Sequence, residues 1–230
     1  MHELVHLLLA VTEPQALLTA LTAHTHEHLQ RLGASDCALV LRRRNQPALT
    51  AGSSPALARV VEKRLADDDD DLATALDRAR TAARLGLPST WASGIAWGAQ
   101  AGLLVVPANA GPTARAALAI IGRVPADPDH RRALLAGIGR VRNEASGVLR
   151  LAVRLADSEE IAQHRALAMQ SRTIIDMAVG VIMAQNRCSA DEAFDVLRRA
   201  SNNRNIKLRE VAADLVQRVH PNLPQTVFTE

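Results

Sequence analysis

Apolar positions recur at helical spacing between residues 14 and 32, at Leu17, Leu18, Leu21, Leu29 and Leu32, and Gly33 supplies a stop. Cys37 to Leu41 is a short, continuously apolar run and reads as a strand, with Arg42 to Asn45 as its exposed turn. The spacing then predicts a helix over 55–65 and another over 72–85 that ends at Gly86. Thr90 to Trp97 and Ala101 to Pro107 read as strands joined by a hairpin turn at Gly98–Ala99–Gln100. Ala114 to Ile121 is almost wholly apolar, so periodicity leaves it open between a buried strand and a short helix. Pro125, Asp127, Pro128 and Asp129 mark a turn before the next helix. This alternation of helices and strands predicts an α/β sandwich.

From about Pro128 the pattern is helical, and no proline occurs from 129 to 220. A long helix is expected from about Asp129 into the 150s. Val141, Ala145, Val148, Ala152 and Leu155 step by four, three, four and three. That seam is too short to decide between a dimer contact and packing on the chain's own sheet. Three further helices follow. The first places Ile174, Ile175, Ala178, Val181 and Ile182 on one side, with Gly180 expected at a close contact. The break falls at Asn186–Cys188, and Ser189 with Glu192 forms a capping box for the second helix. That helix is expected to bury Ala193, Phe194, Leu197 and Ala200 and to end in Ser201–Asn202–Asn203, with Met183 also in the core. The third starts near Asn205 and presents Leu208, Val211, Ala212, Leu215 and Val216.

Charge changes this picture locally rather than globally. The net charge is +3 and the pI about 9.5. Residues 151–230 are neutral in sum, yet Val196 to Arg209 holds five cations (Arg198, Arg199, Arg204, Lys207 and Arg209) and no acid. Aromatic residues are only 2% of the chain, which argues against single-strand binding on rows of stacked rings. Cations there can neutralise phosphates, amides and hydroxyls can read unpaired bases, and arginine can stack on a base without an aromatic. Arg165 and Arg172, two helical turns apart, extend one face.

The segment resembles the ANTAR domain, a three-helix RNA-binding module of bacterial antitermination regulators. The residues that carry the resemblance are Ala178-x-Gly180-x-Ile182–Met183, Ala193–Phe194-x-x-Leu197–Arg198-x-Ala200–Ser201 and Lys207–Leu208-x-x-Val211–Ala212. Val179 departs from the lysine many members carry there, which removes one candidate phosphate contact. The resemblance implies binding to paired stem-loops in nascent mRNA, through Arg165, Arg172, Arg198, Ser201, Asn202, Asn203, Arg204, Asn205, Lys207 and Arg209. The alternative is an interaction or dimerisation regulator without RNA binding. In domain order, length and element order, the α/β half resembles a GAF domain, a sensor fold often joined upstream of this module. The expected fold class is therefore a GAF-like α/β sandwich followed by an all-α part, a long helix plus a three-helix bundle. The expected domains are 1–150, a degenerate sensor; 151–222, the RNA-binding part with its helical linker; and 223–230, a tail.

Other chemistry is excluded or unsupported. There is no P-loop, dinucleotide glycine fingerprint, Gly-x-Ser-x-Gly elbow or His-Glu-x-x-His helix, so no enzyme is expected. Asp36 and the run Asp67–Asp71 lack the placement a phosphate-receiving domain needs. That run reads as a solvated loop or a helix start. His24 and His28 share a helical face, but no third ligand lies nearby in sequence, so no metal or other cofactor is expected. Two cysteines, Cys37 and Cys188, give no disulfide framework. No continuous apolar run reaches the roughly 20 residues of a membrane span, and Leu4 to Val11 lacks a basic leader. The expected partners are RNA and a second copy through the helical segment, with no membrane; any ligand of the sensor part is unknown. The expected location is the cytoplasm.

Overall fold

The computed structural model describes residues 13–32, 36–92 and 101–219. The chain divides into two compact units, Met1–Ala156 and Asp157–Glu230.

The first unit is built on five antiparallel strands. In chain order its elements are α1 (Pro14–Gln30), β1 (Asp36–Arg43), β2 (Leu49–Gly52), α2 (Pro55–Ala66), α3 (Asp70–Leu76), β3 (Ala82–Arg84), β4 (Gly102–Ala108) and β5 (Ala114–Gly122). The spatial order is β2-β1-β5-β4-β3. β1 and β5 pair along their length, from Asp36 opposite Ile121 to Arg43 opposite Ala114. Both are covered on two faces. Cys37, Leu39 and Leu41 join Ala116, Leu118 and Ile120 in one core with α1. Ala38 and Val40 join Ala117, Ala119 and Ile121 in the other, with Leu57, Leu72 and Trp91. A strand buried on both faces has no polar alternation, which is why 114–121 looked like helix or strand; it is the strand β5. Burial, and after it the charge of Asp36, pushes the Cys37 thiol up to about 12.

Several elements differ from the sequence expectation. The helix expected over 72–85 is the seven-residue α3, after which Ala79 turns the chain with φ of 51° and β3 begins. Asp69 starts α3: its carboxylate accepts from the N–H groups of Asp71 at 3.0 Å and Leu72 at 3.3 Å, and from the Trp91 indole at 3.2 Å. The acidic run is thus a helix start, and Asp71 is buried against Arg84. Thr90 and Trp91 lie in a turn rather than a strand. Residues 93–97 of that expected strand, the hairpin turn, Gly33 and the C-terminal tail lie outside the described residues. β2 was not anticipated; its four residues are too few to show a period.

α4 runs from Pro128 to Asn186, 59 residues without interruption, so the long helix and the first of the three expected helices are one element. Its residues to Ala156 belong to the first unit and those from Asp157 to the second. Ala145 and Val148 are buried in the sheet core, Ala152 packs against it and Val141 is buried too, so the short seam serves the chain's own first unit. Leu155 is half exposed. By length and composition, α4 also contains an 18-residue window of mean hydropathy 1.3 that could cross a membrane. Ala178 and Ile182 on it are instead core residues of the second unit.

Gly52 sits where β2 meets α2. A Cβ there would lie 2.6 Å from the Ala58 nitrogen and 2.9 Å from the Ser54 carbonyl oxygen, both backbone atoms that cannot swing aside. Gly52→Ala should therefore lower stability by about 1–3 kcal/mol. Urea unfolding checks this, and an unchanged midpoint would show that the close approach is not needed.

Candidate nucleic-acid interface

The second unit consists of the end of α4, α5 (Ala190–Arg204) and α6 (Leu208–Val219). Its core is Ala178, Ile182, Ala193, Leu197, Val211, Ala212 and Val216. Arg187, at φ of 52°, ends α4. Ser189 and Glu192 then make the expected capping box: the Ser189 hydroxyl accepts from the Glu192 N–H, and the Glu192 carboxylate accepts from the Ser189 N–H at 2.9 Å. These bonds, the backbone one foremost, hold the Glu192 carboxyl below its ordinary 4.5. Because that pKa is depressed, the cap's contribution is present above about 4.5 and fades as pH falls through the lowered value.

α5 ends at Arg204, one residue past the Ser201–Asn202–Asn203 stretch expected to close it. Asn205 takes the left-handed conformation at φ of 52°, its N–H meeting the Asn202 and Ser201 carbonyls. The Ser201 hydroxyl donates to the Ile206 carbonyl at 2.6 Å. Ser201 is therefore occupied in shaping the connection, while Asn202, Asn203, Arg204, Asn205, Lys207 and Arg209 are exposed around it. The link of residues 187–189 is short, and Ala193 and Leu197 of α5 share a core with Ala178 and Ile182 of α4. Arg172 lies on the stretch of α4 that precedes this core. Arg165 lies about 10 Å further along α4 at 1.5 Å per residue. Arg172 and Arg165 are both exposed.

The cations differ in how far they are neutralised. Arg198 pairs with Asp195 at 2.7 Å and Arg204 with Asp214 at 3.6 Å, and Asp214 also meets Arg218 at 2.9 Å. Arg172 meets Asp176 at 3.9 Å. All are solvent-exposed pairs, worth about 0–1 kcal/mol, and so exchangeable for a phosphate. Among the described residues, Arg165, Arg199, Lys207 and Arg209 have no ion pair. Arg199 was not among the expected site residues; its place in the basic run was the available signal.

Three side chains depart from expectation. Phe194 and Met183, expected in the core, are 40% and 36% exposed. Phe194 is one turn before Arg198 and two before Asn202, so the three share a face of α5. Gly180 is exposed, and a Cβ there would meet nothing within 4 Å, so close packing does not explain it. Val179 is half buried against the core, where a lysine would have to extend its head past the helix to reach water. Cys188 is also half buried and packs against the same core.

The first unit holds a cavity of about 630 Å³ whose lining includes Asp77, Arg78, Arg115, Arg142, Asn143 and Arg150. Asp77 is already paired with Arg42. The Ser146 hydroxyl, donating to the Arg142 carbonyl at 2.7 Å and accepting from the Asn109 N–H at 3.0 Å, fixes one wall.

Residues 163–216 match the family model of the ANTAR domain. The match lies within the second unit, and ANTAR domains form a regulatory, RNA-binding antitermination family. No curated protein matches the chain. Among solved structures, it is similar to an N-acylhomoserine lactone-dependent LuxR-family transcription factor from Burkholderia cenocepacia. That match has 15% identity and a TM-score of 0.46, over 66% of this chain and 95% of the other. A GAF domain from A. aeolicus matches at 12% identity and a TM-score of 0.45, over 67% and 93%. An RNA-binding light-oxygen-voltage receptor matches at 22% identity and a TM-score of 0.29, over 80% of this chain and 47% of the receptor.

Replacing an exposed mid-helix glycine that touches nothing removes a cost of about 1 kcal/mol. Gly180→Ala should therefore raise the melting temperature of the helical unit, followed by circular dichroism. A lower melting temperature would mean that the open space at Gly180 is needed for folding.

Proposed function

We propose that this protein binds stem-loops in nascent RNA through the α5–α6 connection and so prevents transcription termination. The observation that carries the reading is the cluster at one helix junction of exposed amides with cations that no carboxylate neutralises, Lys207 and Arg209 above all. It lies inside the ANTAR match. Lys207 and Arg209 supply phosphate contacts, joined by Arg204 and Arg198 once their exposed aspartates are displaced. Asn202, Asn203 and Asn205 offer both donors and acceptors to loop bases, and Phe194 adds a ring face beside Arg198. Arg172 and Arg165 extend the track along α4.

The α/β unit is the sensing part of this reading, and its arginine-lined cavity suits an anionic ligand. Two copies join through α4 over the stretch where Leu155, Ile161, Leu167 and Met169 stand exposed. The work on a nascent transcript places the protein in the cytoplasm, and no catalytic step is assigned to it. The alternative, an interaction module without RNA binding, draws on the carboxylates that neutralise Arg198 and Arg204.

Titration of a two-hairpin RNA at several salt concentrations, against a loop-scrambled control, separates the two. Binding should depend on the loops and weaken with salt. Lys207→Ala and Arg209→Ala should each reduce the salt slope by about 1. Equal binding to the scramble, or slopes unchanged in both variants, would overturn the RNA reading. Sedimentation of the full chain tests the pairing of copies: a monomer at micromolar concentration would remove it.

A further inference from the structure

The first unit assembles a ligand set that the sequence keeps far apart. His24 and His28 stand one turn apart on α1, their rings 4.4 Å apart between centroids. The fold adds Glu144 of α4, and one ligating atom from each of the three residues lies within 4.8 Å of the other two. The two histidines are half buried and the glutamate is exposed, so an ion could enter from solvent.

Two further observations make this more than proximity. The His28 Nδ1 lies 3.0 Å from the His24 carbonyl oxygen. Nδ1–H therefore donates to that carbonyl, and in the neutral ring this leaves the Nε2 lone pair for a metal. A carbonyl fixing the other ring nitrogen is the support that metal-bound histidines ordinarily have. α4 also closely approaches the chain just past the end of α1. A Cβ on Gly137 of α4 would come within 2.1 Å of the Leu32 side chain, just past the end of α1. Glu144 follows Gly137 by two helical turns on nearly the same face of α4, while His28 and His24 step back from Leu32 along α1. The two helices thus run past each other in the register that brings the carboxylate to the imidazoles.

We propose that His24, His28 and Glu144 bind a divalent transition-metal ion, of which Zn²⁺ is the natural probe. Two imidazole nitrogens and one carboxylate oxygen suit such an ion, and water completes a tetrahedron. Mg²⁺ prefers an all-oxygen octahedron and is a poor match for this donor set. The ion ties α1 to the early turns of α4, the same helix that continues into the ANTAR domain.

The test is Zn²⁺ binding by the untagged full-length protein, measured by calorimetry and by competition with a chromophoric chelator. One ion per chain is expected, with a rise in melting temperature that scales with free Zn²⁺, as for any ligand of the folded state. Loss of a supporting partner already costs metal sites about 10–100-fold in affinity, so Glu144→Gln should cost at least about tenfold. His24→Ala with His28→Ala should abolish the site, and His164→Ala, in the other unit, should leave it intact. Glu144 is exposed, so its variant reads the site even if the double histidine variant folds poorly. Absence of saturable binding overturns the proposal. So does affinity unchanged in Glu144→Gln, or an equal response to Mg²⁺.

Discussion

The pairing of β1 with β5 is the constraint from which the first unit follows. The two strands lie at the centre of the sheet and are covered on both faces, so every residue between Cys37 and Leu41 must be apolar, and it is. The alanines of β5, at 114, 116, 117 and 119, keep the sheet surface low and let helices settle close on either side. α1 and the start of α4 occupy one face, α2 and α3 the other. Neither face could be left open, because no strand period offers a polar side for water.

The second unit solves a different problem with different means. Its core is small, seven buried side chains, three of them β-branched, three alanines and one a leucine. Short capped connections therefore do much of the specifying: Ser189 and Glu192 fix where α5 begins, and Asn205 with Ser201 fixes where it ends. The side chains that hold the α5–α6 connection in shape are neighbours of those left free to meet a partner. Shape and recognition are thus divided among adjacent residues of one short segment. The cations there are held only by exposed aspartates, which compete weakly with a polyanion.

The sequence made some of this legible for stated reasons. β1, α2 and the capping box were visible because each has a local signature. α3 was overextended because Ala79 adopts a left-handed conformation that an alanine does not advertise. Phe194 was misplaced because it adjoins Ala193, and apolar neighbours straddle the edge of a helix stripe that in fact centres on Ala193 and Leu197. Gly180 was misread because a glycine inside a motif invites a packing reason that the open space around it does not supply. The basic cluster was legible as a run, but which cations carry aspartate partners depends on Asp214, a helix away. Glu144 was invisible beside His24 and His28 because only the packing of α1 on α4 unites them.

The near-absence of lysine has a practical consequence. The chain has only two, and both are exposed: Lys63 on α2 and Lys207 at the α5–α6 connection. Among side chains, amine-directed chemistry therefore addresses one position in each unit. A label on Lys207 would sit in the proposed recognition segment, and Lys63 would serve as the internal reference for it. The arginine-rich composition, uninformative about function by itself, thus gives the protein a built-in footprinting pair.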